Sequence, residues 1–271
     1  MTKLDSNAAW KEASSQVSAN RDVFLALAGV FFVVPSLALT VIGGEPEVVP
    51  GMQPAQISAA LMAFLAGTWW LFALGLILQF SGMLAILTLM RDRTRPTVSE
   101  AINGALRGLL PFLVAQLLVA FTALLVGGLA IALGGAIAPA LAVVALLLVM
   151  GFAIFANIRL ILIAPVIAVE GTRNPVTVLQ RSWALTRGQF WRIFVFLALV
   201  VILFAVVLVV VSRLVGLVLT IFASGETQRL LGALLSSTMT GVLLVYLTGI
   251  YSAIHRQLAG PGKADLSETF G

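Results

Sequence analysis

The chain has 271 residues, of which 61% are hydrophobic and 10% charged, against roughly half and about a quarter in an ordinary globular domain. Its apolar residues fall in long runs almost free of charge, which excludes a soluble enzyme and points to helices crossing ~30 Å of hydrocarbon; a transmembrane barrel needs short alternating segments instead. The net charge of +5 is not gathered into a nucleic-acid motif, and with no cysteine the chain holds neither a disulfide nor a thiolate metal site.

Residues 1–22 are mostly polar, with Asp5 and Ser6 as N-cap candidates and Trp10, Ala13 and Val17 at helical spacing, which predicts a short amphipathic surface helix. The first apolar run, Val23 to Ile42, is longer than the apolar core of a signal peptide and is read as a retained crossing. Gly43 to Gln56 carries Pro46, Pro50, Gly51 and Pro54, and its charges are Glu45 and Glu47, so it is a turn-rich outer loop by the positive-inside rule. A second run, Ile57 to Met90, exceeds a perpendicular crossing and has to tilt or begin in the interface. It ends at Arg91, Arg93 and Arg95.

From Leu109 to Val169 the one charge is Arg159. Gly127, Gly128, Gly134, Gly135 and Pro139 supply one break, giving two crossings, and that count keeps the Arg-rich segments at either end on one side. A fifth run follows from Ile193 to Ala223 and a sixth from Leu230 to Ile254, separated by Ser224 to Thr227. The predicted fold is an all-α membrane domain of six crossings over residues 23–256, with a polar tail at 257–271 and both termini inside a bacterial cytoplasmic membrane. All Lys and Arg except Arg213 and Arg229 then lie on the inner side.

An internal repeat is expected. The segment from Arg95 and the segment from Asn174 each carry Pro near the start and Arg-Gly near the end, Arg107-Gly108 and Arg187-Gly188. In the first, Val98, Ala101, Ile102, Ala105 and Leu106 share a face behind a possible Thr97/Glu100 capping box. In the second, Asn174 caps, Pro175 starts the helix, and Val176, Leu179 and Trp183 lie opposite Gln180 and Arg187. Residues 97–107 and 175–189 are therefore expected as helices lying in the plane of the inner interface, giving crossing, interfacial helix, crossing, twice.

Arg159 to Phe194, above all Ala164-Pro165, Val169-Glu170-Gly171 and Arg181-Ser182-Trp183 to Leu185-Thr186-Arg187-Gly188, resembles the membrane domain attached to some bacterial glycerophosphodiester phosphodiesterases, and a related group of bacterial inner-membrane proteins. The resemblance implies membrane architecture. It implies no hydrolase, since that activity resides in a separate soluble domain whose carboxylates and histidines have no counterpart here.

Arg159 is the most informative single residue, because a charge inside a crossing costs at least ~2.5–3.5 kcal/mol unless paired or hydrated. On a continuous helix it would lie about 16 Å from Glu170. It is expected either to contact an anion or lipid phosphate, or to pair with Asn157, Gln79, Gln116 or the hydroxyl of Tyr246 or Tyr251. Arg173, Arg181, Arg187 and Arg192 with Trp183 and Trp191 have the makings of a phospholipid-binding surface, or of a generic anchor; Glu170 is read as a partner for one of these arginines. The sixth crossing is rich in hydroxyls, expected to serve helix packing or, alternatively, a polar pathway. Ala63, Gly67, Gly75 and Gly82 are candidate close contacts, and His255 is expected to be solvated at the inner boundary.

No catalytic grouping, metal site or cofactor is implied. The expected role is a non-catalytic module that engages anionic phospholipid, a protein partner or a second copy of itself, and affects envelope organisation. An exporter of an amphiphilic or anionic small molecule is the alternative, and an intramembrane enzyme a third. Broken helices, a transporter habit, are not expected.

Overall fold

The computed structural model describes residues 3–44, 46, 48–91, 97–222 and 225–260. Glu45, Glu47, Arg93, Arg95, the junction at 223 and 224 and the tail from 261 lie outside the described residues. The elements, in order, are α1 (Ser6–Ala19), α2 (Arg21–Ala28), a π turn (Gly29–Val33), α3 (Val34–Ile42), α4 (Pro54–Leu89), α5 (Val98–Ile137), α6 (Pro139–Arg159), α7 (Ile163–Ala168), α8 (Pro175–Leu185), α9 (Phe190–Phe222) and α10 (Gly225–Ala259). Among the described residues there is no strand, and six helical stretches are long and apolar enough to cross a membrane.

The interruptions have local causes. Pro35 removes an N–H that would bond the Phe31 carbonyl, and its ring crowds that carbonyl; the first crossing widens into the π turn just before it, with the Val34 N–H reaching back to Gly29. Ala138 is extended and Pro139 opens α6, which separates α5 from α6 where the glycines and Pro139 were expected to. Gln53 and Gln56 form a capping box at the start of α4.

The packed core sits at one end of the bundle. One cluster joins Leu4, Ala9 and Ala13 to Ile193 on α9 and to Ile250 and Ile254 on α10. A second joins Leu84 and Leu87 of α4 to Phe112 of α5, Val166 of α7 and Val178 of α8. A third gathers Phe24, Phe32, Ile86 and Val245. Away from this end α5, α6 and α9 are apolar and exposed, through Leu124, Leu147, Leu203, Leu217 and Phe222 among others. In lipid such faces need no protein cover.

Close approach uses glycine selectively. A Cβ on Gly82 would overlap Phe31, and one on Gly241 would come within 2.9 Å of Val33, so the first crossing lies tight against α4 and α10. Gly67 has nothing near it, and Gly75 only Pro35 at 3.9 Å. The sixth-crossing hydroxyls mostly bond their own helix, as Thr238, Thr240 and Thr248 do, while Ser237 donates to Ser36 at 3.2 Å.

Two expectations are corrected. Residues 98–107 form no separate in-plane helix: Thr97 and Glu100 do make the capping box, but the helix runs on unbroken through Gly108 and Pro111 to Ile137. The reason lies in what the two Arg-Gly pairs do. Gly108 stays helical because α7 packs on it, where a Cβ would stand 2.9 Å from Ile167; Gly188 adopts φ +75° and turns the chain from α8 into α9. Second, His255 is 3% exposed rather than solvated, because it meets Glu170 from the chain that links α7 to α8. The expected amphipathic helix at the N-terminal end is present as α1, capped by Asp5, and its apolar face is fastened to α10: Trp10 stacks on Tyr246 at 5.8 Å, Glu12 pairs with Arg256 at 2.7 Å, and Asp5 exchanges backbone hydrogen bonds with the Gln257 amide.

Candidate functional site

The fourth crossing is broken, against expectation. α6 stops at Arg159, the chain turns through Leu160 to Leu162, and α7 starts at Ile163. Pro165 explains it, since it cannot donate to the Ile161 carbonyl and its ring would crowd that group in a continuous helix. The 21 residues of α6 span roughly 31 Å, enough to cross alone. Arg159 therefore ends a crossing instead of standing inside one, and a separation from Glu170 reckoned along a continuous helix does not apply.

The break frees carbonyls at the end of α6, and α8 takes one of them. Ser182 Oγ donates to the Arg159 carbonyl at 3.0 Å, and Thr186 Oγ1 lies 2.9 Å from the same oxygen; both residues are fully buried. α8 is set for this by its cap: Asn174 Oδ1 accepts from the Val176 and Thr177 N–H groups, and Pro175 occupies the first turn. Gly188 then reverses the chain so that Gln189 Oε1 receives the Leu4 N–H.

The Arg159 side chain, 5% exposed, lies under aromatic rings. Its guanidinium is 4.6 Å from the Trp183 ring centroid and 6.0 Å from that of Phe155, and those two rings meet edge to face at 5.7 Å. Such stacking is worth about 0.5–2 kcal/mol. None of the expected partners bonds it: Asn157 donates to the Ala153 carbonyl, and no hydrogen bond joins Arg159 to Gln79, Gln116, Tyr246 or Tyr251 among the described residues. Its Nε is buried without a partner. Tyr246 and Tyr251 instead pack in the core that holds α1.

The predicted arginine cluster divides. Arg181 Nε donates to both Glu170 oxygens at 3.1 Å, and His255 Nε2 meets Glu170 Oε1 at 2.9 Å, tying α8 to α10. Burial pushes the Glu170 carboxyl up, but the His255 hydrogen bond and the Arg181 charge outweigh it and hold the group below its ordinary value. Arg192 reaches the Leu4 carbonyl at 3.4 Å, on the side of α9 that faces α1. Trp191 is 71% exposed beside Phe190 and Phe194, and Arg173 stands exposed before α8. Arg187 remains, exposed and without a carboxylate. Its positive charge is the one that bears on Arg159.

Arg187 and Trp183 stand at one end of a groove of about 1020 Å³ between α5, α6 and α8. Its walls are Leu118 to Ala130 of α5 and Leu148 to Asn157 of α6 with Leu160 just past it, and Leu179, Gln180 and Ala184 stand beside the polar end. The twelve helical steps from Leu118 to Ala130 span roughly 18 Å, close to the ~15 Å of one leaflet's hydrocarbon. At the far end Gly127 lets Val149 approach to where a Cβ would be 2.8 Å away. Sequence reasoning missed this groove. Gly127 was legible only as a break signal, and the lining is drawn from α5, α6 and α8 together, a juxtaposition that spacing along the chain does not express.

The broken crossing, its α8 cap and the two crossings that follow are one unit in another sense. Residues 137–259 match the family model for the membrane domain of glycerophosphoryl diester phosphodiesterase. The matched region begins at the last residue of α5 and closes at the end of α10, so the match takes in Arg159, Ser182, Trp183, Thr186, Arg187 and the Glu170–His255 pair. No curated protein and no solved structure matches the chain.

Proposed function

We propose that the chain is a non-catalytic module of a bacterial cytoplasmic membrane, both termini inside, that holds lipid in the α5–α6–α8 groove and through it affects envelope organisation. The observation that carries this reading is the groove itself: a leaflet-deep apolar slot whose one polar end bears Trp183, Gln180 and Arg187. An amphiphile is matched by that order of surfaces, apolar along its length and cationic at the mouth, where indole and guanidinium suit the head-group boundary. The family match supports a membrane role and is to the membrane part of that family. On this topology the core end, with α1 and α8, faces the cytoplasm, where most Lys and Arg lie.

The test is lipid retention. The protein purified in mild detergent should carry phospholipid in native mass spectrometry, and Ala123→Trp, which fills the groove from α5, should remove it while melting stays near the parent's. Equal retention by the two proteins contradicts the reading. One observation favours the alternative of an exporter of amphiphilic or anionic molecules: the crossing broken at Arg159, since transporters build sites where helices are interrupted. Flux of a labelled anionic amphiphile in proteoliposomes, abolished by Ala123→Trp, would select it over a static lipid holder.

A further inference from the structure

We propose that the occupant is an anionic phospholipid of the α8-side leaflet, its phosphate seated on Arg159 and Arg187 and one acyl chain lying in the groove. This rests on the lipid-holding reading and specifies the ligand class.

Three features of the site argue for a phosphate. Arg159 is buried, its Nε has no partner, and neither it nor Arg187 pairs with a carboxylate among the described residues. A buried positive charge beside a second, exposed one is costly without an anion, and an anion between them relieves both the burial of Arg159 and the repulsion. The C-terminal end of α6, where Arg159 stands in the last turn, supplies a partial negative charge of about half a unit, less than the two guanidiniums carry. Finally, the guanidinium carbon of Arg159 lies over the Trp183 ring, 4.6 Å from its centroid. A contact to a ring face uses no oxygen acceptor, so guanidinium N–H donors are left for charge-assisted bonds to phosphate oxygens.

The lipid, as opposed to a soluble phosphate, follows from continuity. Trp183 lies against Arg159 and also lines the groove, together with Arg187, so the phosphate seat and the chain slot share two residues. A second positive group on the head would sit against two arginines. A net-negative head such as phosphatidylglycerol is therefore favoured over phosphatidylcholine.

The experiment titrates delipidated protein in detergent with phosphatidylglycerol, phosphatidylcholine of the same chains, or glycerol phosphate, read by native mass spectrometry. Both heads carry the phosphate, so the difference is the choline cation held against two arginines, and phosphatidylglycerol should bind roughly 10- to 100-fold more tightly than phosphatidylcholine. Arg187→Gln, which removes both a phosphate contact and part of that repulsion, should weaken phosphatidylglycerol more than phosphatidylcholine and so remove most of the preference. Arg159→Lys, which keeps charge and loses the fork, should reduce it in part, and it serves as the folded companion should Arg159→Met lose stability. Ala123→Trp should weaken both lipids. Equal binding of the two lipids, or a preference that survives Arg187→Gln, overturns the assignment of an anionic phospholipid to the two arginines while leaving lipid holding intact. Glycerol phosphate that binds as well in Ala123→Trp as in the parent assigns the arginines to a soluble anion and also overturns it. Absence of binding by either lipid to the parent overturns the lipid-holding reading itself.

Discussion

The capture of the Arg159 carbonyl by two hydroxyls of α8 makes a sharp energetic prediction. Removing one hydroxyl leaves the other on the same oxygen, so Ser182→Ala or Thr186→Val alone should cost no more than a typical net hydrogen bond, about 0.5–1.5 kcal/mol. Thr186 Oγ1 also lies 2.8 Å from the Ser182 carbonyl and shares its proton between the two acceptors, which places that residue toward the lower end when Ser182 is intact. Removing both strands a buried carbonyl at the end of a broken helix, and its desolvation adds about 1–3 kcal/mol. The double variant should therefore be worse than the sum of the singles by about 1 kcal/mol or more. Reversible unfolding of the four proteins in one detergent, analysed as a double-mutant cycle, measures this coupling directly. Additivity within ~0.3 kcal/mol would mean that water or another donor satisfies the carbonyl and that α8 is not fastened there.

Three further predictions follow from other parts of the molecule. Glu170 is held below its ordinary carboxyl value by His255 and Arg181; its pairing thus stabilises the fold above the unfolded value and is lost as pH falls through the folded one, so melting should drop below about pH 4.3 and Glu170→Gln should flatten that drop. Gly82→Leu should destabilise by several kcal/mol, since even a Cβ there would strike Phe31, whereas Gly67→Leu should be near neutral; detergent melting of the pair tests the first-crossing interface. Reporter fusions at Met52, Gly135 and Gly225 should report the outside and at Thr94, Arg173 and Lys263 the inside, and a cytoplasmic signal at Gly135 would sink the two-crossing arrangement of α5 and α6.

The crossings were legible because an apolar run of membrane length has few other uses, and because Pro139 follows a glycine-rich stretch, a combination that favours a helix break and restart. The break at Arg159 was not. Leu160, Ile161 and Leu162 are as apolar as the helix they interrupt, and Pro165 was the one local signal, in a segment where proline can also be tolerated as a kink. Pro111 makes the contrast, since α5 runs through it. Arg159 stood out because charge in hydrocarbon is expensive, yet its stacking on Trp183 depends on the turn after α6. Sequence spacing cannot express that. His255 looked terminal because polar residues follow it, while its partner Glu170 is 85 positions away. The two Arg-Gly pairs show the limit of letter repeats: one glycine serves close packing and the other a left-handed turn.

The fastening of α1 to α10 has a consequence for the order in which the protein can be made. Asp5 and Gln257 are 252 residues apart in the chain, and at about 5–20 residues per second they emerge from the ribosome on the order of ten to fifty seconds apart. Until then Ala9, Ala13 and Trp10 have no seat on α10, and the early-made helix has to wait as an amphipathic segment at the membrane surface. The contact of α1 with α10 thus forms only once both ends of the described bundle have been made.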